Sequence, residues 1–178
     1  PDKSVIERGM FDTNVYFIIT GTLHVLNYSE TGRVITYATL KDGDMFGELA
    51  AIDGLPRSAW VCSITPCQMA TCPSPAFINL LSGNAEVSLA LLKRMSSNIR
   101  LLDDRLKDLT LLGAEQRAYT ELLRMAKPDS EAPGGYVISP MLTHANFANL
   151  VGVSRETISR IFRKLREESL IVHNKRGL

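Results

Sequence analysis

The chain of 178 residues is 45% hydrophobic and 22% charged, a composition that excludes a disordered segment and suffices for one substantial core or two smaller ones. No apolar run approaches the roughly 18 residues of a membrane helix, and residues 1–10 lack the apolar stretch of a secretion signal, so we expect a cytoplasmic protein that does not bind membranes. Residues 141–178 carry seven Lys or Arg against three Glu, whereas residues 1–140 carry 13 basic against 16 acidic side chains. Only the C-terminal part therefore has an electrostatic reason to bind polyanions.

Residues 1 to about 82 alternate short β-rich runs with glycine turns. The runs occupy residues 15–20, 23–26, 34–38 and 58–62. Glycines separate them at intervals of about 11 residues, at Gly9, Gly21, Gly32 and Gly43. This rhythm is typical of an antiparallel sandwich or barrel, and we predict a small β-roll.

From Ala85 to Leu112 the apolar period changes from two to about 3.5 residues. The apolar stripe, whose members alternate spacings of three and four, consists of Leu92, Met95, Ile99, Leu102, Leu106 and Leu109. Such a narrow seam indicates a coiled coil between two copies of the chain, so we predict a homodimer with these residues in its interface. The alternative is a single helix lying on its own β-roll, which would usually show a broader apolar face.

A second domain is predicted after Gly113, where a helical pattern resumes and stops at Lys127-Pro128, followed by a loop at 129–135 and a short β-like run at 136–138. Residues 143–150 then form a short helix, Gly152 gives a tight turn, and Ser154 caps the next helix. This order predicts a helix-turn-helix. Residues 170–177 look like the β-hairpin wing that follows such a motif.

The second helix of this motif has one charged face. On a helical wheel the residues 155, 156, 159, 160 and 163 span about 140°, opposite Ile158, Ile161 and Leu165. Arginine can bond guanine in a bidentate manner and glutamate can accept from cytosine, so we predict that the base-reading residues are Arg155, Glu156 and Arg160. Predicted phosphate contacts, which set register, are Thr143, Ser154, Thr157, Arg163 and Lys164. An ordinary charged helix surface would not explain the coincidence with the turn and the cap.

The segment Val153-Ser154-Arg155-Glu156-Thr157-Ile158-Ser159-Arg160 resembles the recognition helix of the cyclic-AMP receptor protein and FNR family of bacterial regulators. The resemblance covers nearly the whole chain. It implies an α+β fold with three parts: a β-roll at 1–84 that binds a cyclic nucleotide, a central dimerisation helix at 85–112, and a winged helix-turn-helix at 113–178. It also implies that two recognition helices enter successive major grooves about 34 Å apart on a palindromic, TGTGA-like operator.

The segment from Phe46 to Ala59 resembles the phosphate-binding cassette of cyclic-nucleotide domains. A helical turn opened by Gly47 can direct backbone N–H groups at an anion, Arg57 can bind a phosphate in a bidentate manner, and Glu48 can accept from a ribose 2′-hydroxyl. Leu49 and Ser58 complete the predicted cassette, the latter as a hydroxyl donor. The alternative is that Glu48 and Arg57 simply form an ion pair within a loop.

The resemblance assigns base recognition, across the dimer, to a Thr-Ser pair on the long helix, but Leu102 and Asp103 stand at those positions. Leu102 cannot make that bond, so base selectivity would come from Asp103, from Asn98, or from a shifted register that uses Ser96 and Ser97. Asp103 can accept from the N1 and N2 donors of guanine. The resemblance implies cyclic AMP as the effector, and the possible contact of Asp103 with guanine leaves cyclic GMP open. The resemblance further implies that the nucleotide, bound between β-roll and central helix, reorients the DNA-binding domains about a hinge near residues 112–114.

Two other classes of function are disfavoured by the sequence. Three scattered histidines, with no acid, nucleophile or nucleotide-triphosphate motif near them, do not predict an enzyme. A redox or gas sensor, or a family member that has lost its effector, is the alternative that keeps DNA binding. Cys62, Cys67 and Cys72 do not have metal-site or cluster spacing, so we predict no bound metal. The loop at 130–135 occupies the stretch through which the family commonly contacts RNA polymerase, which we expect as a further partner.

Overall fold

The computed structural model describes residues 3–30, 34–132, 134–139 and 141–172, and the chain divides into two compact units at Arg100. The predicted wing lies mostly outside the described residues, because His173 is the first residue beyond them. No single described helix is long and apolar enough to cross a membrane, although the helix pair Ser74–Gly83 and Ala85–Leu111, bent by 109°, passes that test jointly on length and composition.

Seven strands of the first unit form two antiparallel sheets, as the glycine-punctuated runs predict. One sheet has the order β1-β6-β3-β4 and the other the order β5-β2-β7. The strands are β1 Ser4–Ile6, β2 Val15–Thr20, β3 Leu23–Tyr28, β4 Val34–Leu40, β5 Met45–Phe46, β6 Trp60–Ser63 and β7 Gln68–Cys72. Two helices join this unit, α1 Glu48–Asp53 between β5 and β6 and α2 Ser74–Gly83 after β7.

The inward-facing apolar residues of both sheets form the core of the first unit. One cluster contains Ile6, Ile18, Leu23, Leu40, Phe46 and Val61. A second cluster joins Val15 of β2 to Ala51 of α1, Phe77 of α2 and Leu91. The three cysteines are free and partly buried, and burial raises the pKa of the Cys62 thiol. A raised pKa makes the thiolate scarce, as expected for a structural thiol.

The long central helix α3, Ala85–Leu111, matches the predicted one to within a residue. Its apolar stripe is divided between two environments. Met95 packs against the second core cluster of the first unit, beside Leu91, which is the contact expected of a helix lying on its own β-roll. The other five members are more than half exposed: Leu92, Ile99, Leu102, Leu106 and Leu109. These five residues are the solvent-facing seam, and the homodimer stays a prediction.

The second unit contains α4 Ala114–Met125, the short antiparallel pair β8 Lys127–Pro128 and β9 Tyr136–Val137, and the helices α5 His144–Val151 and α6 Arg155–Glu167. Ile158, Ile161 and Leu165 of α6 are buried, which confirms the inward face predicted for this helix. They pack with residues of α4 and α5 in one core, in which the rings of Phe147 and Phe162 lie 5.4 Å apart.

Candidate functional site

The helix-turn-helix is defined by two side-chain caps and one glycine. The Thr143 hydroxyl accepts from the Asn146 N–H at 3.2 Å and begins α5, and the Ser154 hydroxyl accepts from the Thr157 N–H at 3.1 Å and begins α6. Between them Gly152, with φ of 75°, ends α5 in the left-handed conformation that glycine adopts at little cost. Because the Thr143 hydroxyl acts as the acceptor in its cap, its proton stays available for the predicted contact to phosphate. The Ser154 hydroxyl also lies 3.1 Å from the Thr157 hydroxyl, so these two predicted phosphate contacts bond each other.

The three predicted base readers, Arg155, Glu156 and Arg160, are all exposed on α6. The pKa of Glu156 is lowered, first by its own backbone N–H and then by the Ser154 hydroxyl. An ionised carboxylate can only accept hydrogen bonds, which is the state that recognition of a cytosine amino group requires. Of the predicted phosphate contacts on this helix, Arg163 and Lys164 are exposed and Thr157 is half-buried.

Lys164 has a partner that the sequence did not indicate. Its Nζ lies 2.6 Å from Oε1 of Glu115, near the start of α4, and the Tyr119 hydroxyl donates to the same carboxylate. The pKa of Glu115 is lowered by these two hydrogen bonds, and the positive charge of Arg160 contributes to the shift. A carboxylate is thus held at the flank of the basic face, where it pairs with Lys164, one of the predicted phosphate contacts.

His144 fixes α6 against α5. Its Nδ1 lies 3.0 Å from the Ser159 hydroxyl, and its ring packs edge-on against Phe162 with the centroids 5.0 Å apart. Ser159 therefore serves the packing of the two helices, although the helical wheel places it on the exposed arc. A histidine at the start of a short helix carries no sequence signal for this role.

A buried ionic cluster joins the end of α3 to α4. Arg124 lies 2.6 Å from Asp108 and 3.3 Å from Glu121, and Arg105 lies 2.8 Å from Glu121. Close by, Arg117 donates to the carbonyl of Leu112 at 3.0 Å and to that of Val151, at the end of α5, at 3.2 Å. These contacts connect the last turn of α3 to the helix that precedes the DNA-reading one.

The cassette residues form a tight turn of helix. Gly47 caps α1 with φ of 88°, and a Cβ there would lie 2.6 Å from Nη1 of Arg57 and 2.7 Å from the Asn14 carbonyl oxygen. Only glycine fits this position. Glu48 is the first residue of α1 and half-buried, Leu49 is 42% exposed, and Ser58 is exposed.

Arg57 is 3% exposed and is held from three sides. Its guanidinium donates to the Asp12 carboxylate at 2.6 Å, to the Asn14 carbonyl at 2.6 Å and to the Gly47 carbonyl at 2.8 Å. Burial by itself raises the pKa of Asp12, but the bonds from Arg57 and the Asn14 N–H outweigh it and leave the pKa lowered. The alternative prediction, an ion pair between Glu48 and Arg57, is therefore not what the structure contains, because Asp12 is the partner.

The remaining predicted nucleotide contacts, Leu102 and Asp103, are exposed on α3. Among the described residues, no group of three or more His, Cys, Asp or Glu side chains is placed to hold a metal ion.

Comparison with known proteins gives the same two-part organisation. A cyclic nucleotide-binding domain matches residues 1–84, and a Crp-like helix-turn-helix domain matches residues 116–178. The cAMP-activated global transcriptional regulator CRP of Salmonella typhimurium is 32% identical over 175 residues, covering 96% of this chain and 82% of that protein. The cAMP-activated global transcriptional regulator Vfr of Pseudomonas aeruginosa is 29% identical over 175 residues, covering 95% and 81%.

Solved structures share the fold. The c-di-GMP responsive global regulator CLP of Xanthomonas campestris matches with a TM-score of 0.78 and 21% identity, covering 99% of this chain and 89% of that one. A CooA mutant from Carboxydothermus hydrogenoformans matches with a TM-score of 0.83 and 17% identity, covering 98% and 78%. Fold and site together define a transcription regulator with a cyclic-nucleotide-binding β-roll and a DNA-binding helix-turn-helix. The chain belongs to the cyclic-AMP receptor protein and FNR family of bacterial regulators.

Proposed function

We propose that this protein is a homodimeric regulator that reads a TGTGA-like palindromic operator under the control of a cyclic nucleotide. The observation that carries the DNA-reading part is the exposure of Arg155, Glu156 and Arg160 on one face of a helix whose other face is buried. A capped turn sets the direction of this helix, so the three side chains project from a rigid element. Two arginines flanking a glutamate suit G·C pairs in the major groove.

Base reading is tested by comparing Arg155→Ala with Arg163→Ala on operators mutated one base pair at a time. Loss of a bidentate contact to guanine costs about 1–3 kcal/mol, so Arg155→Ala should abolish discrimination at one G·C pair and leave the other positions readable. Arg163→Ala, the matched control for a phosphate contact, should weaken binding to every sequence alike. Equal loss on all sequences for Arg155→Ala would contradict the base-reading role.

The proposed effector is cyclic AMP, with cyclic GMP as the other nucleotide to be tested. Support comes from the glycine-opened α1, from the buried guanidinium of Arg57 beside it, and from the cAMP-activated relatives. The nucleotide acts as an allosteric effector if it binds the DNA-competent state more tightly than the other state. Calorimetric titration of the protein with each nucleotide, followed by operator binding with and without saturating nucleotide, tests both steps.

The second candidate is a family member with the same DNA-binding function and a different effector or none. One observation favours it: Arg57 already bonds a carboxylate and two carbonyl groups, so a phosphate would have to share it. Binding of neither nucleotide at micromolar concentration would select this candidate. Operator binding that is the same with and without a bound nucleotide would contradict the switch while leaving the DNA-reading proposal intact.

The proposed dimer uses the solvent-facing seam of α3. Leu106 is 64% exposed and Leu109 is 57% exposed, which is a costly arrangement for a row of leucines that remains in water. Leu106→Glu should give a monomer by light scattering, whereas Lys107→Glu, on the adjacent position, should leave the dimer intact. A wild-type monomer would contradict the proposal.

Contact of the 130–135 loop with RNA polymerase is a further part of the proposal, tested by alanine substitution of Glu131 in a transcription assay.

A further inference from the structure

Asn27 is a polar residue inside the β-roll that the nucleotide cassette does not include. It lies on β3, opposite Ile35 of β4, and is 7% exposed. Asparagine is depleted in strands, and an interior position of this kind normally holds an apolar residue. The position of Asn27 therefore calls for a physical reason.

The hydrogen bonds of Asn27 determine which way its amide points. Nδ2 lies 3.0 Å from the Tyr37 hydroxyl oxygen and 3.5 Å from the Ser58 carbonyl oxygen. Because a carbonyl oxygen can only accept a hydrogen bond, the amide nitrogen and not the amide oxygen must face the Ser58 carbonyl. The amide oxygen then points away, and Oδ1 has no hydrogen-bond partner among the residues that the structure describes.

The contact with Ser58 places this amide at the end of the cassette. Ser58 directly follows Arg57, the residue proposed to bind the phosphate, and is itself a proposed nucleotide contact. A buried carbonyl oxygen without a partner is destabilising, and a donor from a bound molecule would remove that penalty. The position of Asn27 thus links an unpaired acceptor to the proposed nucleotide site.

We propose that Oδ1 of Asn27 accepts a hydrogen bond from an N–H group of the purine base of the cyclic nucleotide, which makes Asn27 a specificity-determining residue. This inference rests on the proposed function. The acceptor requires a donor, and a cyclic phosphodiester has none at neutral pH. The ribose 2′-hydroxyl is assigned to Glu48, so the donors left are the 6-amino group of adenine or the N1 and 2-amino groups of guanine. Asn27 would then supply selectivity that Leu102 cannot.

The test compares cyclic AMP and cyclic GMP with the 3′,5′-cyclic monophosphate of purine riboside, whose base has no N–H donor. The wild-type full chain should bind one of the natural nucleotides roughly ten- to a hundredfold more tightly than this reference. In Asn27→Leu the ratio should fall to within about twofold, because leucine keeps the volume and removes the acceptor. The natural nucleotide that binds more tightly than the reference in the wild type, and loses this advantage in Asn27→Leu, identifies the base that Asn27 recognises.

Two further variants keep the test decisive. Thr36→Val changes another buried polar residue, which lies on β4 opposite Leu26, and should leave the ratio at the wild-type value. Tyr37→Phe removes the hydroxyl that holds Nδ2 and should lower the ratio partly, even if Asn27→Leu fails to fold. If folded Asn27→Leu keeps the wild-type ratio of affinities between the natural nucleotide and the reference, this inference alone is overturned. If Asn27→Leu does not fold, a wild-type ratio in Tyr37→Phe has the same consequence. Binding of neither natural nucleotide to the wild type overturns the proposed effector and this inference together.

Discussion

Substituting Gly47 with alanine is the sharpest test of the cassette geometry, and Gly54→Ala is its matched control. Both glycines flank α1 and adopt left-handed φ values, 88° and 70°. They differ in their surroundings, because a Cβ at Gly54 would meet nothing within 4 Å, whereas one at Gly47 would lie 2.7 Å from the Asn14 carbonyl oxygen. The control therefore carries the backbone strain without the close approach.

The two variants should differ in their free energy of unfolding, and the size of the difference should reflect the contacts of Arg57 that the Gly47→Ala methyl group disturbs. Left-handed backbone costs an L-residue about 1–2 kcal/mol, which is the whole cost expected for Gly54→Ala. At Gly47 the added methyl group also displaces Arg57 or Asn14, and Asn14 precedes the fully buried Val15 in β2. Loss of one buried hydrogen bond to a charged group adds about 1.5–3 kcal/mol, so Gly47→Ala should cost about 2.5–5 kcal/mol.

Urea unfolding followed by tryptophan fluorescence measures this difference in the β-roll. Trp60, on β6, is the only tryptophan in the chain, so the signal reports the first unit without contribution from the second. Gly47→Ala should also abolish nucleotide binding, whereas Gly54→Ala should retain it. Equal losses of stability in the two variants would refute the close approach of Arg57 to Gly47 as the reason for this glycine.

Three further predictions concern charges. Glu115→Gln should raise the affinity for any DNA duplex about two- to fivefold in a gel-shift assay, because Lys164 is then free to bind phosphate. Adding Lys164→Met should cancel this gain. An unchanged affinity in Glu115→Gln would mean that the pair does not compete with DNA. Burial lowers the pKa of His24 below 6.5, so the folded state holds the neutral imidazole and binds a proton less readily than the unfolded state. The free energy of unfolding should therefore fall as the pH drops below 6.5, by at most about 1.4 kcal/mol per pH unit. His24→Leu should flatten this dependence in urea unfolding between pH 7 and 5, and an unaltered slope would contradict it. Arg124→Met should destabilise the second unit by about 2–4 kcal/mol in thermal unfolding followed by circular dichroism, because the buried carboxylate of Asp108 loses its partner. The matched control Arg163→Met, at an exposed position, should change the stability by less than about 0.5 kcal/mol.

The features that could be predicted from the sequence are those fixed by neighbouring residues. The cap at Ser154, the turn at Gly152 and the buried face of α6 each depend on residues within four positions, and the structure confirms them. The pairs that the sequence did not indicate are distant: Asp12 and Arg57 are 45 residues apart, and Glu115 and Lys164 are 49 apart. A local pattern carries no information about such pairs, since they depend on how whole elements pack.

The distant partner Asp12 changes what the cassette requires of its anion. A buried guanidinium without a counter-charge would be costly, and Asp12 supplies that charge from within the fold. Of the five N–H donors of Arg57, three are used by Asp12, Asn14 and Gly47, and Nε is buried without a partner among the described residues. A phosphate that leaves the pair with Asp12 intact therefore has two donors of Arg57 left to it, the Nε N–H and one Nη1 N–H, which lie on different edges of the guanidinium. Because the carboxylate opposes an incoming anion, the proposed nucleotide would owe much of its affinity to the α1 backbone, the ribose and the base. The proposed selectivity at Asn27 would then carry more weight in the choice of effector.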